Sequence, residues 1–338
     1  MTVFIAGGAG YIGSHTILEL LKQGYEVVAA DNFSNSKPEA LNRVKRLAGR
    51  DFPFYQEDIR DETALDRIFT AHKIDCLIHF AGFKAVGESL SKPLAYYANN
   101  LNSTIALCGV MRRYHVNKMI FSSSATVYDR ENEMPLTEES KTGNCLNPYG
   151  WTKYMCEQII KDAASADKNQ SVALLRYFNP IGAHESGEIG EDPQDVPNNI
   201  MPYISQTAIG RREFILINGD DYDTPDGTCI RDYVHIMDLA AGHVAAIRYL
   251  NNNTGAFTFN LGTGKGTSVI ELIQAFERAA DITLHKNAAA RRAGDLPVCY
   301  TATEKAKREL DWTAQKSIAD ACADAWRWQR NNPNGYGV

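Results

Sequence analysis

Tyr149 and Lys153 stand four residues apart just after Pro148. On a helix that spacing puts a phenol and an ammonium on one face, within one turn. A tyrosine with an ordinary pKa near 10 works as a base at neutral pH only if that value falls by about three units, roughly 4 kcal/mol. A neighbouring cation such as a lysine ammonium acts in that direction. The spacing alone is weak, because chance supplies roughly one such pair in a chain of this composition. Tyr114 and Lys118 repeat the interval, but they straddle the junction between a helix-like stretch and the strand-like Met119–Ser122. That junction is the N-terminal edge of a sheet, where packing is the expected role. Ser122-Ser123-Ser124 closes the same strand at its other end, and Ser124 can present a hydroxyl toward Tyr149.

A second constellation lies at the start of the chain. Gly8-Ala9-Gly10-Tyr11-Ile12-Gly13 matches GxGxxG, and Gly7 adds the wider form Gly7-x-x-Gly10-x-x-Gly13. Such glycines permit a tight strand-to-helix turn and let backbone N–H groups approach a pyrophosphate at the helix N-terminus. Asp31 ends the next strand 18 residues after Gly13, where a carboxylate can bind a ribose 2′-OH. Asn32, not Arg, follows it, which favours NAD over NADP. Asp58-Ile59 after the third strand could flank an adenine. Phe80-Ala81-Gly82 follows the fourth, and Gly82 permits close approach of the backbone.

These residues require an alternating scaffold, and the sequence reads as one. Val3–Ala6, Val27–Asp31, Phe54–Gln56, Cys76–Phe80, Met119–Ser122 and Val172–Tyr177 read as buried strands. Helical stretches lie between them at Ser14–Lys22, from Pro38 to about Leu47 with Ser36 as a cap, and near Glu62–Ala71, Pro93–Tyr114 and Tyr149–Ala166. Uninterrupted apolar strands alternating with helices imply a parallel sheet covered on both faces. The expected fold is α/β, a doubly wound Rossmann domain with a smaller, discontinuous mixed α/β lobe. The regularity fails after Pro180, and Gly182–Gly227 shows no long amphipathic period. Ile236–Leu250 reads as helix, Phe257–Leu261 as a strand returning to the main sheet, and Val269–Ala280 and Ile318–Arg330 as helices. Residues 1–180 plus about 235–262 are the expected cofactor domain; about 181–234 plus 263–338 are the expected substrate lobe.

Composition excludes several classes. The 35 Lys+Arg and 41 Asp+Glu of the 338 residues give a net charge of −6 with both signs dispersed, which disfavours nucleic acid or an anionic membrane as partner. A hydrophobic content of 44% suits a globular chain. No apolar run approaches the roughly 20 residues that span a bilayer, and no signal peptide is visible. Cys76, Cys108, Cys145, Cys156, Cys229, Cys299 and Cys322 form no CxxC pair, which points to a reduced, cytoplasmic chain. The histidines include no HExxH, and no metal site is expected.

The glycine motif, Ser124 and the Tyr149/Lys153 pair together resemble the extended short-chain dehydrogenase/reductase family. Gly7–His15, His79–Ser89, Phe121–Tyr128, Leu174–His184 and Asp232–Leu239 resemble, more narrowly, its members that invert C4 of UDP-hexoses. The similarity runs essentially end to end. It implies that Tyr149 takes the 4-OH proton, that Lys153 orients the cofactor ribose and lowers the tyrosine pKa, and that Ser124 hydrogen-bonds the 4-oxygen. A 4-keto sugar would form, turn over and be reduced on its other face, with NAD retained as a prosthetic group. The resemblance further implies cofactor contacts at Gly7, Gly10, Tyr11, Ile12, Gly13, Asp31, Asn32, Asp58, Ile59, Phe80, Ala81, Gly82, Lys84, Asn99, Ser122 and Phe178. Substrate contacts are implied at Asn179, Asn198, Asn199, Asn218, Arg231, Tyr233, Arg292, Asp295 and Cys299. Arg231 and Arg292 suit a bidentate grip on a pyrophosphate. A homodimer packed through Pro93–Tyr114 and Tyr149–Ala166 is implied as well.

The chain departs from the family pattern at Ala6, where Thr is common, at Asp129, where Gly is usual, and at Asn218, which replaces a frequent aromatic near the uridine. Cys299 stands where a tyrosine commonly walls the sugar pocket, and the smaller side chain implies room for an N-acetyl group. The expected activity therefore covers UDP-Glc/UDP-Gal and also UDP-GlcNAc/UDP-GalNAc. A 4,6-dehydratase would need an acidic pair after the hydroxyl residue, but Ala125-Thr126 follows Ser124. A UDP-glucuronate 4-epimerase would need a carboxylate grip that the sequence does not display. A non-catalytic NAD-binding regulator would have no use for the intact Tyr149 and Lys153.

Overall fold

The computed structural model describes residues 1–194, 197, 199–292 and 294–337. Its strands are β1 (Thr2–Ala6), β2 (Glu26–Asp31), β3 (Phe54–Gln56), β4 (Cys76–His79), β5 (Lys118–Ser124), β6 (Ser171–Tyr177), β7 (Asn179–Ile181), β8 (Ile215–Asn218), β9 (Ile230–Arg231), β10 (Tyr233–His235), β11 (Gly255–Leu261), β12 (Thr267–Ser268), β13 (Lys286–Ala289) and β14 (Val298–Cys299). The helices are α1 (Tyr11–Lys22), α2 (Pro38–Ala48), α3 (Glu62–Ala71), α4 (Val86–Ser91), α5 (Pro93–Arg113), α6 (Pro148–Ser165), α7 (Ile200–Ala208), α8 (Ile236–Leu250), α9 (Val269–Ala280), α10 (Glu304–Leu310) and α11 (Ile318–Asn331).

Seven strands form one parallel sheet in the order β3-β2-β1-β4-β5-β6-β11. Period-two alternation divides its side chains between two cores. Val3, Ile5, Val27, Ala29, Ile78 and Phe259 pack with α1, α2 and α8 on one face. Phe4, Ala6, Val28, Ala30, Leu77 and Phe121 pack with α3, α5 and α6 on the other. Burial on both faces explains why the strands read as continuous apolar runs. Strand order reverses between β1 and β4, and open α/β sheets bind ligands at the C-terminal ends of the strands flanking such a switch point.

The return of Phe257–Leu261 to the main sheet is observed as β11, parallel to β6. Ser36 does not cap α2: Lys37 occupies the cap without a side-chain bond, while Ser36 Oγ donates to Asp31 Oδ1 at 2.8 Å. Within Gly182–Gly227, α7 has only nine residues, too few to show a period, and carries Pro202 in its first turn. With α9 and α11 it encloses a third core around Ile204, Ile273, Phe276 and Ala325. Small sheets accompany it: β12-β9-β14, β10-β7 and β13-β8.

Candidate functional site

The glycine turn is built by contact. Gly7 has φ +85°, and a Cβ on it would lie 2.7 Å from the backbone nitrogen of Ala81; a Cβ on Gly13 would lie 2.3 Å from the Gly7 carbonyl. The turn therefore packs directly against the chain leaving β4, where Phe80 and Ala81 N–H groups both donate to the Ala6 carbonyl. Ala6 itself is fully buried: its carbonyl takes these two bonds while its methyl packs in the core. Gly10 stands at the N-cap of α1 with no side-chain cap. The first N–H groups of α1 are thus left for an anion, and the donor set fits a dinucleotide pyrophosphate.

Asp31 lies at the tip of β2 and accepts from Ala9 N at 2.9 Å, Phe33 N at 2.9 Å and Ser36 Oγ at 2.8 Å. About one of a carboxylate's four acceptor positions is left over, so Asp31 both fixes the turn and retains capacity for a ribose hydroxyl. Asn32 reaches Asp58 at 3.5 Å, while Arg60 pairs with Asp58 at 2.6 Å and holds its carboxyl below the usual range. Ile59 is buried in the core and has only its backbone to offer. Tyr11 donates to the Gly182 carbonyl at 2.7 Å. A Cβ on Gly82 would sit 3.1 Å from Asn100 Oδ1. Asn99 donates to that same atom, and Lys84 pairs with Glu191 at 3.0 Å.

Tyr149, Lys153 and Ser124 come together. Asn147 caps α6 by accepting from Gly150 N at 2.9 Å with Pro148 in the first turn, which places Tyr149 at the start of the helix. Lys153, buried one turn on, donates to the Ser122 carbonyl at 2.5 Å. Its ammonium lies 4.8 Å from the Phe121 ring and 5.9 Å from the Tyr149 ring. Burial pushes Tyr149 up to about 12, opposed by its hydrogen bond with Ser124. Burial also lowers Lys153 to about 8, opposed by Cys156 and Glu157. The lysine is thus mostly protonated at pH 7, and the phenol needs a further positive charge beside it to ionise. Tyr114 and Lys118 lie apart: the phenol bonds to Thr70 and the Asp66 carbonyl, the ammonium to Asn251.

The short strands align the implied substrate groups. Asn179 on β7 is opposite Tyr233 on β10, and Arg231 on β9 is opposite Cys299 on β14. Ser124 is opposite Tyr177, next to Phe178 and Asn179. Arg231 donates to the Leu296 carbonyl at 2.7 Å and lies 3.6 Å from Asp295, which also holds Arg292 at 2.8 Å. Asn218 ends β8, paired with Ala289 on the strand that leads to Arg292. Asn199 donates to Glu191 at 2.7 Å; Asn198 lies outside the described residues. Cys299 packs against the small core of Val127, Tyr128, Leu136 and Phe178, and burial pushes its thiol up to about 11, so it stays neutral. Asp129 is buried and accepts from Glu131 N and Asn144 while pairing with Lys141; it organises the loop after β5.

Sequence reasoning missed three positions. Glu191 is a hub for Lys84 and Asn199, in a stretch without periodicity that carried no signal. Asn100, adjacent to the selected Asn99, binds Phe83 N and O and Thr152. Glu157 follows Lys153 at the same i,i+4 interval and was legible as a helix-face neighbour. It is buried, accepts from Ser123 at 2.6 Å and pairs with Arg176 at 2.7 Å.

A family model described as the NAD dependent epimerase/dehydratase family matches residues 3–262. The UDP-glucose 4-epimerase of Bacillus subtilis (strain 168) is 53% identical over 336 residues, covering 99% of each chain. The crystal structure of UDP-glucose 4-epimerase from Bifidobacterium longum in complex with NAD+ and UDP matches with a TM-score of 0.97 at 50% identity, over 99% of this chain and 100% of that one. The UDP-Glc/GlcNAc 4-epimerase from Campylobacter jejuni matches with a TM-score of 0.84 at 36% identity, over 98% and 99%. The family model covers most of the chain and the relatives match it over its full length, so the chain belongs to the NAD-dependent epimerase/dehydratase family.

Proposed function

We propose that the protein interconverts UDP-glucose and UDP-galactose at C4, an isomerase that retains NAD. The observation that carries this reading is the convergence of Tyr149, Lys153 and Ser124 at the C-terminal edge of the sheet, beside an uncapped glycine turn. Bound NAD would supply a hydride acceptor that returns the hydride to the opposite face of the sugar. Tyr149 would accept the 4-OH proton and give it back. Ser124 would orient the 4-oxygen, and Lys153, charged at neutral pH, would favour the phenolate. Ala125 and Thr126 follow Ser124, so the acid and base that elimination needs are lacking there. Arg231 and Arg292, tethered by Asp295, would turn from that carboxylate to the UDP pyrophosphate. Residues 1–180 plus about 235–262 would form the NAD domain, the remainder the UDP-sugar lobe.

UDP-GlcNAc and UDP-GalNAc would be substrates as well. Cys299 ends a strand beside Arg231 and packs against the small core that contains Phe178, the neighbour of Asn179, where a phenol ring would take the space an acetamido group needs. Incubating the purified protein separately with UDP-Gal and UDP-GalNAc tests both levels. The expected result is a 4-epimer from each without added cofactor. Turnover of UDP-Gal alone would contradict the wider specificity, and turnover of neither would contradict the whole reading. A homodimer would cover Leu94 and Ile105, which are exposed on α5; a monomer mass in sedimentation equilibrium would contradict it.

A further inference from the structure

Residues 332–337 clasp a loop that lies across the cofactor cleft. The Tyr336 hydroxyl donates to the Gly190 carbonyl and accepts from the Gly190 N–H, each at 3.1 Å. Tyr336 N–H donates to Asp192 Oδ2 at 2.9 Å, and Asp192 also pairs with Lys37 at 3.1 Å. The Tyr336 ring packs against Trp328 with centroids 4.7 Å apart and the planes tilted by 51°; the Trp328 indole N–H donates to the Glu191 carbonyl at 3.3 Å. Arg43 lies over both rings and donates to the Glu188 carbonyl. No side chain fits at two points of closest approach: a Cβ would come within 2.4 Å of Trp328 at Gly190 and within 2.0 Å of Asp192 at Gly335 (φ +70°).

The other side of the loop touches both shores of the cleft. Glu191 holds Lys84, on the chain leaving β4, and Asn199. Gln194 donates to the carbonyls of Phe33 and Ser36, on the chain leaving β2, at 3.3 and 2.9 Å. In the sheet β1 lies between β2 and β4, so the loop runs from one shore to the other across the end of the glycine turn. Its grip is remote from Tyr149, whose chemistry it does not touch.

We propose that Tyr336 is a positioning residue that holds residues 188–194 across the dinucleotide cleft and thereby sets how long NAD stays bound. This rests on the cofactor reading above. Without the clasp, Glu191 and Gln194 lose their fixed approach to the cleft, and the cofactor exchanges with solvent instead of behaving as a prosthetic group.

The test measures NAD per protomer after desalting, and the NAD dissociation rate, for wild type, Tyr336→Ala and Tyr336→Phe. The expected result is that Tyr336→Ala releases NAD at least ~10-fold faster and regains activity when NAD is added in excess. Tyr336→Phe, which keeps the ring against Trp328, should fall between the two. Wild-type retention in a folded Tyr336→Ala, or lost activity that saturating NAD does not restore, would overturn the proposal. If Tyr336→Ala does not fold, Lys37→Met, at the half-exposed end of the clasp, carries the test: faster NAD release supports it and unchanged release overturns it. A wild-type protein that takes up no NAD would sink the cofactor reading itself, an outcome distinct from a wild type and Tyr336→Ala that retain NAD equally.

Discussion

Tyr149 and Lys153 divide the electrostatic work unequally. Burial holds the phenol up at about 12 and the ammonium down at about 8, so the lysine by itself does not make the tyrosine a base. Its ammonium is committed to the Ser122 carbonyl and to the face of Phe121. Desolvation dominates at the phenol, opposed by its hydrogen bond with Ser124, and a further cation beside it would favour ionisation. Tyr149→Phe should reduce kcat by roughly 10²- to 10⁴-fold while leaving NAD bound; near-normal turnover in that variant would rule out Tyr149 as the base. Cys299→Tyr should keep UDP-Glc/UDP-Gal turnover and abolish UDP-GlcNAc/UDP-GalNAc turnover in parallel assays. Equal retention of both pairs would show that Cys299 does not wall the sugar pocket.

At the scale of elements, β5 and α6 meet through a buried polar link. Glu157 lies two turns beyond Tyr149 on α6, accepts from Ser123 on β5 and pairs with Arg176 on β6. Removing one partner of a buried pair strands the other charge and costs about 3–5 kcal/mol. Glu157→Gln should lower the unfolding free energy by about that amount in urea titrations. Asn147→Ala removes one capping bond and should cost only about 1 kcal/mol. The order of the two effects is the checkable point. The sheet strands and long helices were legible because full burial gives apolar runs and an amphipathic helix has a 3.6 period. The clasp on residues 188–194, the two-residue strands β9, β12 and β14, and α7 were not. They are too short for a period, and what holds them comes from distant parts of the chain: Glu191 from Lys84, Gly190 from Tyr336. Ser36 was misread as a cap because Asp31 competes for its hydroxyl, a contact that local sequence does not contain.

Across the whole molecule, five of the eight histidines are buried: His15, His79, His184, His235 and His243. His15, His79 and His243 are buried, and burial lowers them to about 3, 3 and 4. An unfolded chain binds protons at these sites near pH 6.5, whereas the folded chain does not. The stability they contribute is therefore complete above about 6.5 and is lost as pH falls toward their folded values. Each adds a slope of about 1.4 kcal/mol per pH unit in that window, so Tm should drop steeply between pH 6 and 4.5. A flat Tm there would contradict neutral buried imidazoles. The global charge of −6 is compatible with anionic ligands because cations are local: α1 offers an open N-terminus, and Lys84, Arg231 and Arg292 are each held on a carboxylate. On the proposed reading C4 is oxidised and reduced by the same hydride within one site. Incubation of the protein with UDP-galactose deuterated at C4 should give UDP-glucose that keeps the deuterium at C4, with no net NADH and no solvent hydrogen incorporated there; a product whose label has washed out into water would contradict this route.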